Sequence, residues 1–283
     1  MLRTRLWMGA VLIALACGVL IVDEYLPPGY PFLFLFILAV ALAACYELLQ
    51  LVGSMFRLPA WLCFASVATV LAANWPAHVF GFSATWAWVA GTFAAAVLSS
   101  FLVEMATFRE PGGSVIRLAL VVFVTVYLGV LPSFLVQLRW PASELGANEA
   151  ARGCTVALAL AIFVPKCCDI GAYFTGRLLG RHRMTPVLSP KKTWEGLAGG
   201  LSLAAVAALA VNRLGGGLSD LAALGFGITV GGAGVLGDLA ESLLKRDCQK
   251  KDASQALPGF GGVLDVIDSV VFAAPVAYCW LRV

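Results

Sequence analysis

The chain has 283 residues, 61% of them apolar and 12% charged, and its 19 basic against 16 acidic side chains leave a formal charge of +3. A water-soluble domain carries about a quarter charged residues, so that class is excluded, and disorder is excluded because it needs low hydrophobicity and dense charge. The 29 glycines and 13 prolines follow no fixed period, and +3 is too small to argue for a nucleic-acid partner. An all-α, polytopic transmembrane protein remains.

A bilayer core about 30 Å thick takes roughly 20 helical residues to cross. Apolar runs in chain order predict about nine spans: 6–22, 31–52, 58–73, 84–103, 115–136, 154–164 running on less cleanly toward 179, 196–211, 218–244 and 263–281. Arg3 and Arg5 ahead of the first run read as a signal anchor retained as a span. The eight cysteines form no CxxC pair and mostly lie in apolar runs, so neither a zinc site nor a disulfide framework is expected. With nine crossings, fifteen basic residues fall on the side of the N-terminus and four on the other, which predicts a cytoplasmic N-terminus in a cytoplasmic (inner) membrane. Residues 1–150 read as a scaffold of N-terminal helices with Glu47 as their one polar exception. Residues 151–283 gather most of the Asp, Lys and Gly and read as a catalytic region with cytoplasmic motif loops.

Three clusters carry that reading. The first, Asp169-Ile-Gly-Ala-Tyr173 with Gly176, Arg177 and Gly180, places an acid, a phenol and a base on one helical stripe, or is simply a snorkelling helix end. The second, Ser189-Pro-Lys191-Lys192-Thr193-Trp-Glu195, brings ammonium groups, hydroxyls and a helix start to one place where an anion is well held, although two lysines at a membrane edge are common. In the third, Glu241, Ser242, Lys245 and Arg246 share a helical face with Asp238, and Asp265 shares one with Asp268. Four carboxylates at the ends of two apolar helices must meet a metal, basic groups or each other. Buried ion pairs such as Glu241 with Lys245 are the structural alternative. Hard oxygen donors without His or Cys favour Mg²⁺ over zinc.

The stretch from Ser242 to Asp268 resembles the signature of the phosphatidate cytidylyltransferases, or CDP-diacylglycerol synthases, through Ser242, Lys245, Arg246, Lys251, Asp252, Pro258, Gly259, Gly261, Gly262, Asp265 and Asp268. Asp169-x-Gly-Ala-Tyr, Gly176-Arg177, Ser-Pro-Lys-Lys-Thr-x-Glu-Gly and Gly237-Asp238 are similar to further family elements, so the resemblance covers about residues 165–275. Phe260 stands where the family has His, and Val266 where it has Arg.

The resemblance implies cytidylyl transfer from CTP to phosphatidate, giving CDP-diacylglycerol and pyrophosphate, with membrane lipid and a homodimer as further partners and Mg²⁺ as cofactor. It implies Asp238, Asp265 and Asp268 as metal ligands, and Asp238, Lys245, Arg246 and Asp265 as the catalytic group. Ser189, Lys191, Lys192 and Thr193 would hold phosphates, with Glu241, Ser242, Lys251 and Asp252 orienting the substrates. A catalytically impaired paralogue, a protein that binds anionic lipid, and a CTP-dependent lipid kinase are the alternatives. A transporter would show an internal repeat, and none is visible.

Overall fold

In lipid every backbone N–H and C=O must be satisfied within its own segment, so long apolar runs fold as helices. A computed structural model describes residues 2–53, 55–81, 84–141, 147–250, 252–254, 256–257 and 261–282, the side chains of 2–6 and 147–152 falling outside that set. The helices are α1 (Leu2–Asp23), α2 (Pro31–Val52), α3 (Ala60–Ala72), α4 (Pro76–Phe80), α5 (Thr85–Thr107), α6 (Ser114–Thr125), α7 (Leu131–Gln137), α8 (Ala147–Leu179), α9 (Trp194–Asn212), α10 (Asp220–Asp247) and α11 (Leu264–Arg282). Among the described residues, eight helical stretches are long and apolar enough to cross a membrane, and Trp7–Asp23 is a shorter apolar helix. Large apolar side chains such as Trp61, Leu102, Leu221 and Leu236 lie more than half exposed, as lipid-facing groups do. The chain is an integral membrane protein.

The elements depart from the apolar runs in four places. The third run, 58–73, holds α3 alone, with the short helix α4 starting beyond its end at Pro76, and a π turn over Val126–Val130 joins α6 to α7. The sixth run is one continuous helix of 33 residues that carries Pro165 inside it. Two short antiparallel strands, β1 (Arg183–Thr185) and β2 (Ser189–Thr193), form a hairpin that polar residues gave no periodicity to predict.

The chain divides into two compact units, Met1–Ser133 with Asp252–Leu264, and Phe134–Lys251 with Asp265–Val283. In the N-terminal unit Cys45, Leu48, Val67, Val70 and Leu128 are fully buried. Tyr30 precedes α2 without a side-chain cap, and the buried Asp23 carboxylate does that work, accepting from the amides of Phe32 at 3.1 Å and Leu33 at 2.5 Å. Asn74 donates to the carbonyl of Leu71 and, at 2.9 Å, to the hydroxyl of Ser133. Glu47 is 4% exposed, and its carboxylate accepts from Ser254 Oγ at 2.6 Å, Val263 N at 2.9 Å and Leu264 N at 2.8 Å. It thereby holds Ser254, Val263 and Leu264 within this unit.

The C-terminal unit is packed through small residues, the usual way for membrane helices to approach closely. A Cβ on Gly227 would fall 2.5 Å from the Cα of Ala205 on α9, and one on Gly237 would overlap the Asp268 carbonyl on α11. Gly231 and Gly234, on the same face of α10, meet Ala204 of α9 and Pro165 of α8. One helix therefore fixes the spacing of three neighbours, and its end carries Asp238, Glu241 and Lys245.

Candidate active site in the C-terminal unit

Local folding places each polar group. The Thr193 hydroxyl caps α9 by accepting from the amide of Gly196 at 3.1 Å. Glu195, in the first turn, accepts from the amides of Arg181 at 3.1 Å and His182 at 3.2 Å, while His182 Nδ1 lies 2.6 Å from its other oxygen. The hairpin is thus tied to α9 at both ends. Adjacent residues of a strand point to opposite sides. Lys191 is accordingly exposed, while Lys192 sets its ammonium 2.9 Å from Asp238 and donates to the Val235 carbonyl at 3.3 Å.

Lys245 is buried and shared, with its Nζ 2.5 Å from Glu241 one turn back on α10 and 2.5 Å from Asp265 on α11. Lys166, on α8, lies 3.2 Å from Asp169 and 3.6 Å from Asp268. The hydroxyl of Ser269 donates to Asp169 at 3.0 Å, and the Ser269 amide donates to Asp268 at 2.6 Å. Three helices and the hairpin thus meet in one polar network.

The acids outnumber the cations within it. Asp169, Asp238, Glu241, Asp265 and Asp268 are five carboxylates, paired with the three ammonium groups of Lys166, Lys192 and Lys245, so in ionised form two negative charges stay unbalanced. One oxygen each from Asp238, Glu241 and Asp268 lies within 4.8 Å of the others, and these are the acids that could hold a metal among the described residues. Among the described residues, Glu241 Oε1 is buried with no hydrogen-bond partner. A buried acceptor left unmade costs free energy of about 1–3 kcal/mol, more when charged. A divalent cation would satisfy that oxygen and cancel both charges, and an all-oxygen donor set suits a hard ion. The residues fit a metal.

The structure treats the sequence-predicted residues unequally. Asp238 and Asp268 come together, with Glu241 as the third acid, whereas Asp265 lies against Lys245 because α11 turns that carboxylate toward the buried ammonium. Arg246 is exposed and donates to the carbonyls of Leu188 at 3.5 Å and Lys250 at 3.2 Å. Ser189 is half-buried on β2, Ser242 is buried on α10, and Asp252 is an exposed residue of the N-terminal unit. Tyr173 and Arg177 bond to each other at 3.0 Å on the exposed side of α8. Val266 is half-buried on α11, while Lys251 and the Pro258-Gly259-Phe260 stretch lie outside the described residues. Lys166 and Ser269 were not singled out from the sequence. Lys166 stands three residues before Asp169, the spacing of a helical ion pair, which was the signal available for it.

Comparison with known proteins gives concordant findings. The model of the Cytidylyltransferase family matches residues 3–283. The uncharacterized protein YnbB of Escherichia coli K12 is 43% identical over 114 residues, covering 40% of this chain and 38% of its own length. A phosphatidate cytidylyltransferase of Haemophilus influenzae is 44% identical over 112 residues, 38% of this chain and 39% of its own. Another, from Synechocystis sp. PCC 6803, is 35% identical over 201 residues, 63% of this chain and 64% of its own. The chain thus spans from under two fifths to just under two thirds of the length of these relatives.

Proposed function

This chain belongs to the Cytidylyltransferase family, and from that premise we propose that it transfers a cytidylyl group from CTP to phosphatidate, leaving CDP-diacylglycerol in the membrane and releasing pyrophosphate. The relatives named phosphatidate cytidylyltransferase support the choice of substrates. The observation that carries the reading is the buried, unpartnered oxygen of Glu241 beside Asp238 and Asp268, in a network two negative charges in excess.

An oxygen of the phosphatidate phosphate forms a bond to the α-phosphorus of CTP as the bond from that phosphorus to the bridging β-phosphate oxygen breaks. The attacking oxygen is already ionised at neutral pH, so no general base is required. The site's work is to bring two anions together and neutralise them. Asp238, Glu241 and Asp268 would hold a divalent ion, which we take to be Mg²⁺. When bound, that ion neutralises charge on the triphosphate and the leaving pyrophosphate. Lys192 sits beside Asp238 where it reaches both that acid and a bound phosphate, and the exposed Lys191 and Arg246 receive the outer phosphates from water. Lys245 and Asp265 act at one remove: their pairing sets the distance between α10 and α11 and orients Glu241. The excess of basic residues in the motif loops supports a cytoplasmic site and a cytoplasmic N-terminus in the inner membrane, the side from which CTP arrives.

The test is purified protein supplied with α-phosphate-labelled CTP, phosphatidate and Mg²⁺. The wild type transfers label to lipid and releases pyrophosphate, and Asp268→Asn or Glu241→Gln transfers none. Label carried to lipid from the γ-phosphate instead would make the protein a lipid kinase, and absence of both products would refute nucleotidyl transfer.

A further inference from the structure

Two adjoining cavities in the N-terminal unit fall outside the site described above. One, of about 580 Å³, is walled mainly by Leu49, Phe56, Leu58 and Ala60, and reaches Arg57. The other, of about 510 Å³, is lined by Arg57, Arg109, Glu110 and Arg117 together with Thr107 and the turn before α6. Arg57 belongs to both, so an apolar chamber and a basic one share a wall.

These arginines come from different parts of the unit, Arg57 from the α2–α3 connection, Arg109 from the α5–α6 connection and Arg117 from the first turns of α6. The left-handed pair Gly112 (φ 110°) and Gly113 (φ 83°) reverses the chain there. Arg117 is neutralised by Glu104, which accepts from its Nε at 3.1 Å, while Arg57 and Arg109 make no ion pair among the described residues. Three guanidiniums against the carboxylates of Glu104 and Glu110 leave one positive charge. Met105, Phe108, Val115 and Ile116 stand exposed in the same α5–α6 region that supplies Arg109, Glu110 and Arg117.

We propose that this pair of cavities binds an anionic phospholipid of the surrounding membrane, with its phosphodiester among Arg57, Arg109 and Arg117 and its glycerol and upper acyl carbons in the apolar chamber. Guanidinium forks match phosphate oxygens in geometry and charge. The single surplus charge matches the single charge of a phosphodiester. A free phosphate would leave the apolar chamber unfilled, which makes the lipid the better occupant.

The probe is phosphatidylglycerol, because phosphatidate would also enter the proposed active site. The delipidated full chain in detergent is titrated with it, and bound lipid is counted by native mass spectrometry. Wild type retains the lipid, and Arg57→Ala/Arg109→Ala weakens binding about a hundredfold, tenfold for each lost charge-assisted contact of about 1.4 kcal/mol. The Arg57→Lys/Arg109→Lys variant, which keeps the charge but not the fork, falls between. Arg213→Ala, which removes a cation at the α9–α10 connection, binds like wild type, and millimolar inorganic phosphate does not displace the lipid. Wild-type binding by the double alanine variant overturns the proposal, and so does equal weakening by Arg213→Ala. Displacement by inorganic phosphate overturns the lipid as occupant. None of these readings depends on turnover, so they stand apart from the activity test.

Discussion

Replacing Glu47 with alanine removes the carboxylate that holds the Asp252–Leu264 segment. Three hydrogen bonds are lost, from Ser254 Oγ, Val263 N and Leu264 N, and the Leu264 amide is left buried without an acceptor. A bond to a charged acceptor contributes about 1.5–3 kcal/mol, so loss of the two backbone bonds alone costs about 3–6 kcal/mol against the docked segment. At 1.4 kcal/mol per decade this corresponds to about 10²- to 10⁴-fold faster opening. Amide hydrogen exchange in nanodiscs, read on a peptide covering 263–264, reports it directly. Glu47→Gln keeps one acceptor oxygen and gives a smaller acceleration. Unchanged protection at Val263 and Leu264 in Glu47→Ala would refute the clamp, because among the described residues Glu47 is the acceptor for both amides.

Three other perturbations follow from the packing and charge of the C-terminal unit. Gly237→Ala forces a methyl into the Asp268 carbonyl and to 2.9 Å from Phe272 Cβ, so α10 and α11 part at the level of the acidic trio; label transfer to lipid should fall at least tenfold while circular dichroism stays helical. Lys245→Met strips the shared ammonium from Glu241 and Asp265, and breaking a buried pair costs about 3–5 kcal/mol, which a lowered melting temperature in detergent should register. Cys248 lies just beyond α10, where burial first and the neighbouring Asp247 second push its thiol above the ordinary range. A raised value leaves less thiolate at any given pH, so maleimide labelling of Cys248, followed by peptide mapping, should reach half its plateau rate at a higher pH than a free cysteine does.

The membrane architecture was open to reading because its cause is local. A run such as 31–52, with proline at its first position, contains its own start signal and its own hydrogen bonds, and α2 occupies the same residues. Partnerships across long separations were not legible. Glu47 stood out as a lone acid among apolar residues, yet its partners lie more than 200 positions away. Helical spacing puts Asp265 and Asp268 on one face, and only the packing of α11 against α10 sends the former to Lys245 and the latter toward Asp238 and Glu241. Lys166 counted in the sequence as one more cytoplasmic charge; its spacing from Asp169 was open to reading there, but Asp268 became its second acid only when α8 and α11 were placed side by side. The hairpin escaped notice because Ser189–Thr193 is polar throughout and offers no alternation.

Helix α10 lives under two different rules of substitution. On its outer side Leu221, Ile228, Leu236 and Leu243 face lipid, where one greasy residue serves as well as another and drift among them is free. On its inner side Gly227, Gly231, Gly234 and Gly237 rest against neighbouring helices with no room for a methyl group. A lineage of such chains is therefore expected to vary along one edge of this helix and stand still along the other. Anyone redesigning the protein inherits a spine whose smallest residues are the least replaceable.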